Sequence, residues 1–199
     1  MVWIGLTGGI ATGKSTVARL LRERGFVVVD ADALSREAVQ IGTAAHLEIV
    51  KVFGPSAILP SGELNRPRIG EVVFNDRTKL ALLESIIHPK VRSLALQKKL
   101  ELTKQGAKVA FYDVPLLFEK DMASLFDLIV VVATKPDVQL ARLMDRNRFS
   151  IDEAQRRISA QLPLKTKIAK ASTVIHNDGS IKDLEAAVDR YVENLPRPD

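Results

Sequence analysis

A glycine-rich segment near the start of the chain has the residue types and spacing that bind phosphate. Residues 8–15 are Gly-Gly-Ile-Ala-Thr-Gly-Lys-Ser, a glycine, four free positions, and then glycine-lysine-serine. An apolar run at residues 2–6 predicts a buried strand before it, and a helix is predicted after Lys14. The glycines let backbone N–H groups curl around an anion, Lys14 can reach the outer phosphates, and the Ser15 hydroxyl can ligate Mg²⁺. The segment therefore predicts a nucleotide-phosphate site, which we call the phosphate loop.

Two aspartates lie where the second predicted strand, residues 26–30, ends. In a parallel sheet, ligands gather beyond the carboxyl ends of the strands, so Asp30 and Asp32 belong to the same edge as the phosphate loop. A carboxylate there can contact Mg²⁺ or deprotonate an attacking hydroxyl, and we assign that role to Asp32. The alternative is that both aspartates cap the next helix, for which Asp30 is better suited. Asp113 ends the third strand and is either a second metal-facing acid or a turn residue.

A basic segment in the second half of the chain contains two arginines at helical spacing. Arg142 and Arg146 are four residues apart and share one face of a predicted helix, where they can stabilise negative charge during phosphoryl transfer. Such arginines can also form only a solvated face, and we favour the functional interpretation. Residues 142–170 hold eight lysines and arginines against three acidic residues, which accounts for the net charge of +5. Because Phe149 is the only aromatic residue there, a lid over phosphates explains the segment at least as well as nucleic-acid binding.

The composition limits the class of protein and the kinds of site. A length of 199 residues, with 46% hydrophobic and 27% charged residues, is typical of one soluble globular domain. The absence of cysteine excludes disulfides, thiolate metal sites and cysteine nucleophiles. The histidines His46, His88 and His176 are too scattered for a zinc site. With no basic leader and no apolar run long enough to cross a bilayer, we expect a cytoplasmic protein without a membrane partner.

Short β-branched runs alternate with helical stretches, which predicts an α/β fold around a parallel sheet. The candidate strands are residues 2–6, 26–30, 108–113, 128–133 and 173–176. The stretch between the second and third strands, about 75 residues, is too long for a simple crossover. It contains an apolar stripe at helical spacing, with a bend expected at Pro89. The members of this stripe are Leu80, Leu83, Ile87, Val91 and Leu94.

We interpret residues 55–105, with approximate bounds, as an inserted helical lobe that holds a second substrate; the alternative is that these helices only complete the core. Residues 140–168, again approximately, are predicted to form the lid. Capping boxes predict helices that begin at Ser150 and at Thr134, the latter through its spacing to Asp137. A final helix is predicted from about Ile181 to the residue before Pro196.

These segments together resemble the dephospho-CoA kinase family, over essentially the whole chain and in order. The phosphate loop alone is shared by many families, but its combination with the Asp-Ala-Asp of residues 30–32 and the Pro-Leu-Leu-Phe-Glu of residues 115–119 is far more specific. The resemblance also includes Thr7, Arg36, His88, Pro89, Val91, Gln139, Arg142, Arg146, Ala160, Gln161, Val174, Ile175, Asn177 and Gly179.

The resemblance implies ATP-dependent phosphorylation of the ribose 3′-hydroxyl of dephospho-CoA, which gives coenzyme A and ADP in the last step of coenzyme A synthesis. It implies a P-loop kinase fold over residues 1–199, with a five-stranded parallel sheet in adenylate-kinase-like order, a substrate lobe and a mobile lid. The expected small-molecule partners are ATP with Mg²⁺ and dephospho-CoA. A monomer is favoured, and no nucleic acid is expected.

The resemblance also implies roles for individual residues. Asp32 orients and deprotonates the acceptor hydroxyl, while Arg142 and Arg146 close on the phosphates and act with Lys14 in catalysis. Ser15 shares the Mg²⁺. The residues implied to bind ATP are Gly9, Ala11, Thr12, Gly13, Lys14, Ser15 and Thr16 at the phosphates, with Asn177 and Gly179 near adenine. Those implied to bind the acceptor are Asp32, Arg36, His88, Leu116, Leu117 and Phe118.

Three other functions are compatible with parts of this pattern. A kinase for another small alcohol would share the phosphate loop. A GTP-driven switch would use the Thr-Lys-Pro-Asp of residues 134–137 to bind guanine, but the chain contains no Asp-x-x-Gly switch sequence. A nucleic-acid-stimulated ATPase would use the basic segment, and its activity would depend steeply on salt.

Overall fold

The computed structural model describes residues 1–196, and within them five strands form one parallel sheet. The strands are β1 (Val2–Gly8), β2 (Val27–Asp30), β3 (Val109–Asp113), β4 (Leu128–Ala133) and β5 (Thr173–His176). Their order in the sheet is β2-β3-β1-β4-β5, with every neighbouring pair parallel. The predicted fold class is confirmed, and each predicted strand is present within two residues of its predicted bounds.

Helices connect the strands along the chain. They are α1 (Lys14–Glu23), α2 (Ala31–Ala38), α3 (Ala44–Phe53), α4 (Arg66–Phe74), α5 (Arg77–Lys104), α6 (Pro136–Asn147), α7 (Ile151–Ser159), α8 (Leu164–Ala169) and α9 (Ile181–Glu193). Pro55–Ala57 and Ala123–Leu125 form single turns of 3-10 helix. In the part of the chain that the structure describes, no helix has the length and apolar character needed to cross a membrane.

Residues 1–30 and 102–196 form one compact unit, which contains the sheet. Side chains of the central strands are buried on both faces, and α1 and α9 pack together over one of those faces. This burial explains why the strands are continuous apolar runs rather than alternating ones. The core includes Ile4 and Leu6 of β1, Val130 and Val132 of β4, Val17, Leu20 and Leu21 of α1, and Leu184 and Val188 of α9.

Ala31–Glu101 form a second compact unit, which is mainly helical. Its core is made by α2, α3, α4 and the facing side of α5, and its buried members are Ala38, Val39, Ala45, Ile49, Ala57, Ile69 and Ile86. The predicted stripe on α5 packs against this core through Leu83, Ile87, Val91 and Leu94, whereas Leu80 is 39% exposed. α5 continues through Pro89 to Lys104, and the bend at Pro89 stays a prediction.

Side-chain caps fix the starts of two helices in the sheet-containing unit. The predicted capping box at Ser150 is present, and a second box at Ser180 starts α9, where the sequence analysis had predicted the helix without its cap. The capping box predicted at Thr134 is wrong, because α6 begins one residue later and Lys135 occupies the cap position. The Thr134 hydroxyl instead lies 2.8 Å from the carbonyl oxygen of Asn177, so it ties the end of β4 to the loop after β5.

Candidate active site

The phosphate loop lies between the end of β1 at Gly8 and the start of α1 at Lys14. The Thr12 hydroxyl donates to the Gly9 carbonyl at 2.9 Å, and the Thr12 amide donates to the same oxygen at 3.3 Å, which closes the turn. Ala11 and Gly13 adopt positive φ angles of 60° and 94°. The loop therefore enters α1 with the N-terminal amides of that helix directed at its own concave side, the arrangement that binds phosphate.

Two glycines of the loop have no room for a side chain. A Cβ atom at Gly8 would lie 2.7 Å from the Thr12 hydroxyl oxygen and 2.7 Å from the Val132 carbonyl oxygen. At Gly13, a Cβ atom would lie 2.1 Å from the amide nitrogen of Asn177, in a backbone conformation that already disfavours side chains. The glycine spacing recognised in the sequence is thus required by close packing as well as by the turn.

The Lys14 ammonium forms an ion pair with the Asp113 carboxylate. Asp113 ends β3 and pairs in register with Leu6 of β1 and with Asp30 of β2. It is only 7% exposed, and burial raises its pKa, against the opposing effect of the Lys14 charge. The sequence left two roles open for Asp113, a metal-facing acid or a turn residue, and neither of them includes this contact. In this structure Asp113 is the counter-ion of the phosphate-loop lysine.

Two glutamine side chains form hydrogen bonds with the backbone of Ile10, one with its amide and one with its carbonyl. The Gln161 side-chain oxygen accepts from the Ile10 amide at 2.8 Å, and the Gln139 side-chain amide donates to the Ile10 carbonyl at 2.8 Å. Gln139 is on α6 and Gln161 lies between α7 and α8. Both residues were part of the family resemblance, but their contact with the loop could not be deduced from their positions in the sequence.

Asn177 lies behind the phosphate loop. Its side-chain amide donates to the Thr12 carbonyl at 2.9 Å, and both groups are buried. Its own carbonyl oxygen accepts from the Arg142 guanidinium at 2.8 Å as well as from Thr134. The loop after β5 is therefore fixed to the phosphate loop at one end and to α6 at the other.

The two predicted catalytic arginines have different partners in this structure, although both are on α6. Arg142 donates to the carbonyl of Asn177 and, at 3.5 Å, to that of Gly179. Arg146 donates to the side chain of Asn147 at 2.8 Å, in an exposed position. Contact between these arginines and a phosphoryl group stays a prediction.

The loop of residues 115–119 follows β3 and packs on β1. The Thr7 hydroxyl donates to the Pro115 carbonyl at 3.2 Å. Leu117 is fully buried, and its side chain fills the space next to the Cα atom of Gly5. Leu116 is 38% exposed. Leu117 therefore fixes the loop from below, whereas Phe118 is half-buried, and contact of these residues with a ligand stays a prediction.

Three predicted acceptor-binding residues belong to the helical unit. Asp32 is the second residue of α2 and is exposed, and Arg36 is exposed one turn later on the same face of that helix. His88 is exposed on α5, next to Pro89. Asp32 comes two residues after Asp30 in the chain, and Asp30 pairs in register with Asp113.

The comparisons with known proteins agree on one family. The sequence profile CoaE, described as dephospho-CoA kinase, matches residues 2–183. The chain belongs to the dephospho-CoA kinase family. The resemblance inferred from the motifs is therefore confirmed, and the matched region contains every residue to which a role was assigned.

Relatives and solved structures match over nearly their full lengths. A dephospho-CoA kinase from Bacillus cereus is 46% identical over 97% of this chain and 96% of its own length, and one from Listeria innocua is 43% identical over 96% of both. The crystal structure of TT1252 from Thermus thermophilus superposes with a TM-score of 0.82, at 36% identity and 98% coverage of both chains. Dephospho-CoA kinase from Campylobacter jejuni superposes with a TM-score of 0.76 at 27% identity, covering 96% of this chain and 95% of its own.

Proposed function

We propose that this protein transfers the terminal phosphoryl group of ATP to the ribose 3′-hydroxyl of dephospho-CoA, which gives coenzyme A and ADP in the last step of coenzyme A biosynthesis. The observation that carries the proposal is an intact phosphate loop, with Lys14 paired to Asp113, in a chain that belongs to this family over residues 2–183. The loop supports a nucleotide as the donor, and the family supports the acceptor.

The phosphate loop supplies the groups that bind the ATP phosphates. The backbone from Ala11 to Thr16 forms the turn and the start of α1 that would surround the phosphates, and Lys14 provides a positive charge. Because the lysine is neutralised by Asp113 in this structure, binding of a phosphate would exchange one anionic partner for another. The ion pair keeps this side of the loop electrically balanced before ATP arrives.

Ser15 is the residue that we propose to hold Mg²⁺. Its hydroxyl is a hard oxygen donor in the first turn of α1, and Mg²⁺ commonly takes few protein ligands together with water and phosphate oxygens. When bound, the ion supplies positive charge that neutralises the phosphates. Asp113 pairs with Lys14 in this structure, and if Lys14 turned to a phosphate the carboxylate would become available as a second ligand.

Asp32 is the proposed general base, and it is exposed at the start of the helix that directly follows β2. Its carboxylate would hold the acceptor hydroxyl and take its proton as the oxygen attacks phosphorus. Arg36, His88, Leu116, Leu117 and Phe118 are retained as acceptor-binding residues, with Leu117 acting from beneath the loop. Arg142 would reach the phosphates by giving up its bonds to the Asn177 and Gly179 carbonyls.

Replacement of Asn177 by alanine is expected to weaken ATP binding about 5- to 100-fold, because Thr12 loses the buried donor that fixes its carbonyl. The affinity for ATP would be measured by isothermal titration calorimetry. The control is Asn194→Ala, which also removes a side-chain amide bonded to a backbone carbonyl, but at the exposed end of α9. Equal ATP affinities in the two variants would show that Asn177 does not support the loop.

A panel of acceptors tests the proposed function. ADP release would be followed by a coupled assay with ATP and Mg²⁺ in the presence of dephospho-CoA, shikimate, a hexose or a nucleoside monophosphate. Turnover is expected with dephospho-CoA alone. Turnover of another acceptor in its place would identify a different small-molecule kinase, and ADP release stimulated by DNA would identify an ATPase that acts on nucleic acid. The monomeric state and the cytoplasmic location stay predictions.

A further inference from the structure

Lys167 is a fully buried lysine that contacts the phosphate loop but is not part of the phosphate-binding motif. It is on α8, and none of its surface is exposed. Its ammonium lies 2.7 Å from the Glu119 carboxylate and donates to the carbonyl of Gly8 at 3.2 Å. Gly8 is both the last residue of β1 and the first residue of the phosphate loop.

A buried ammonium group requires interactions that compensate for its loss of hydration. Removing a charge from water is costly, and an apolar side chain of similar volume often serves packing as well or better. Here the cost is offset by Glu119, whose Oε1 atom also accepts from the Leu162 amide at 3.0 Å. Burial acts to raise the pKa of Glu119, but hydrogen bonds from Lys167 and from backbone amides outweigh it and lower the pKa. Glu119 is therefore an ionised counter-charge.

The contact with Gly8 is the feature that an apolar residue could not reproduce. A trans peptide unit is planar, so the direction of the Gly8 carbonyl also sets the direction of the Gly9 amide. Gly8 pairs in register with Val132 of β4, and its Cα is packed too closely for any side chain. The Lys167 ammonium is therefore placed to hold the peptide plane from which the phosphate loop departs.

We propose that Lys167 is a positioning residue for nucleotide binding, which orients the first peptide plane of the phosphate loop through the Gly8 carbonyl and is itself held in place by Glu119. The inference rests on the proposed function only for the choice of an adenine nucleotide as ligand. The proposal also gives a role to the ion pair that joins two distant segments. Glu119 ends the loop of residues 115–119, and α8 lies in the segment predicted as the lid.

The test compares variants that separate the ion pair from the Gly8 contact. Lys167→Met removes both. The double variant Glu119→Met with Lys167→Met also removes the unpaired carboxylate, so it is expected to regain thermal stability relative to Lys167→Met. Glu119→Gln keeps the ammonium near Gly8. Lys165→Met is the control, since it removes an exposed lysine from the same helix.

The primary measurement is the affinity for ADP with Mg²⁺, obtained by calorimetry without an acceptor, together with the melting temperature. We expect ADP to bind about tenfold or more weakly in both Lys167→Met variants, even where the double variant regains stability, and close to normally in Glu119→Gln and Lys165→Met. A role in stability alone predicts that ADP affinity returns together with the melting temperature in the double variant, and this result would overturn the proposal. An equal loss of affinity in Glu119→Gln and Lys167→Met would overturn it as well.

If neither methionine variant folds, Lys167→Arg tests the positioning role instead. The arginine keeps a positive charge for Glu119 but displaces the donor from the Gly8 carbonyl. A loss of ADP affinity of about fivefold or more supports the positioning role, and a smaller loss contradicts it. Failure of the wild-type protein to phosphorylate dephospho-CoA would contradict the proposed function without changing these comparisons, since ADP binding is measured without an acceptor.

Discussion

Replacement of Asp32 by asparagine is expected to lower kcat with dephospho-CoA by about 10²- to 10⁴-fold, the range for loss of a general base. The amide can still accept a hydrogen bond from the acceptor hydroxyl, but it cannot take the proton as the oxygen attacks phosphorus. The KM for ATP should stay close to that of the wild type, because the phosphate loop is unchanged. Steady-state kinetics with each substrate varied in turn would measure both constants.

Asp152→Asn is the matched control for this experiment. Asp152, like Asp32, is an exposed aspartate in the first turn of a helix, so the same charge is removed from a comparable position relative to the helix dipole. The control is expected to retain wild-type kcat. If Asp32→Asn also retained full turnover, Asp32 would lose the role of general base. If only the KM for dephospho-CoA rose, Asp32 would be a binding residue instead.

Replacement of Lys14 by methionine is expected to lower kcat/KM for ATP by about 10²- to 10³-fold, the scale on which removal of one charge-stabilising donor acts in other enzymes. The methionine has a similar length but cannot neutralise the outer phosphates. The loss should appear with any acceptor, because it concerns the donor nucleotide. Initial rates over a range of ATP concentrations would measure it.

The ion pair with Asp113 requires a second variant, because Lys14→Met leaves a carboxylate that is only 7% exposed without its counter-ion. Lys14→Met with Asp113→Asn removes that buried charge and should regain melting temperature without regaining activity. Lys182→Met, an exposed lysine on α9, controls for loss of surface charge. Recovery of activity in the double variant would mean that Lys14 contributes to stability and not to phosphoryl transfer.

Local patterns in the sequence were sufficient to predict the sheet and the phosphate loop. Strands covered on both faces must be continuous apolar runs, and the five runs identified became β1 to β5 with small changes in their bounds. The glycine spacing predicted the loop because part of the restriction acts within a few residues: the backbone at Gly13 has a φ angle of 94°, and a Cβ atom at Gly8 would lie 2.7 Å from the Thr12 hydroxyl oxygen. The helical stripe on α5 was predictable for the same reason, since Leu83, Ile87 and Val91 follow its period.

Contacts between distant segments could not be predicted in this way. Lys14 and Asp113 are 99 residues apart, and Lys167 and Gly8 are 159 apart, so neither pair leaves a periodic signal in one sequence. The Thr134 capping box failed because the hydroxyl had a better partner in the carbonyl of Asn177, contributed by a neighbouring strand connection. Side-chain hydrogen bonds of this kind depend on the strand order, which fixes which loops adjoin.

Identification of the product tests the central proposal most directly. The purified protein would be incubated with ATP, Mg²⁺ and dephospho-CoA, and the products analysed by mass spectrometry and ³¹P NMR. We predict equal amounts of ADP and coenzyme A, with the new phosphomonoester on the ribose 3′-oxygen, and an initial rate of product formation by Asp32→Asn that is lower by about 10²- to 10⁴-fold at the same enzyme concentration. Phosphate released from ATP without coenzyme A, or a phosphate on another oxygen, would contradict the proposed transfer.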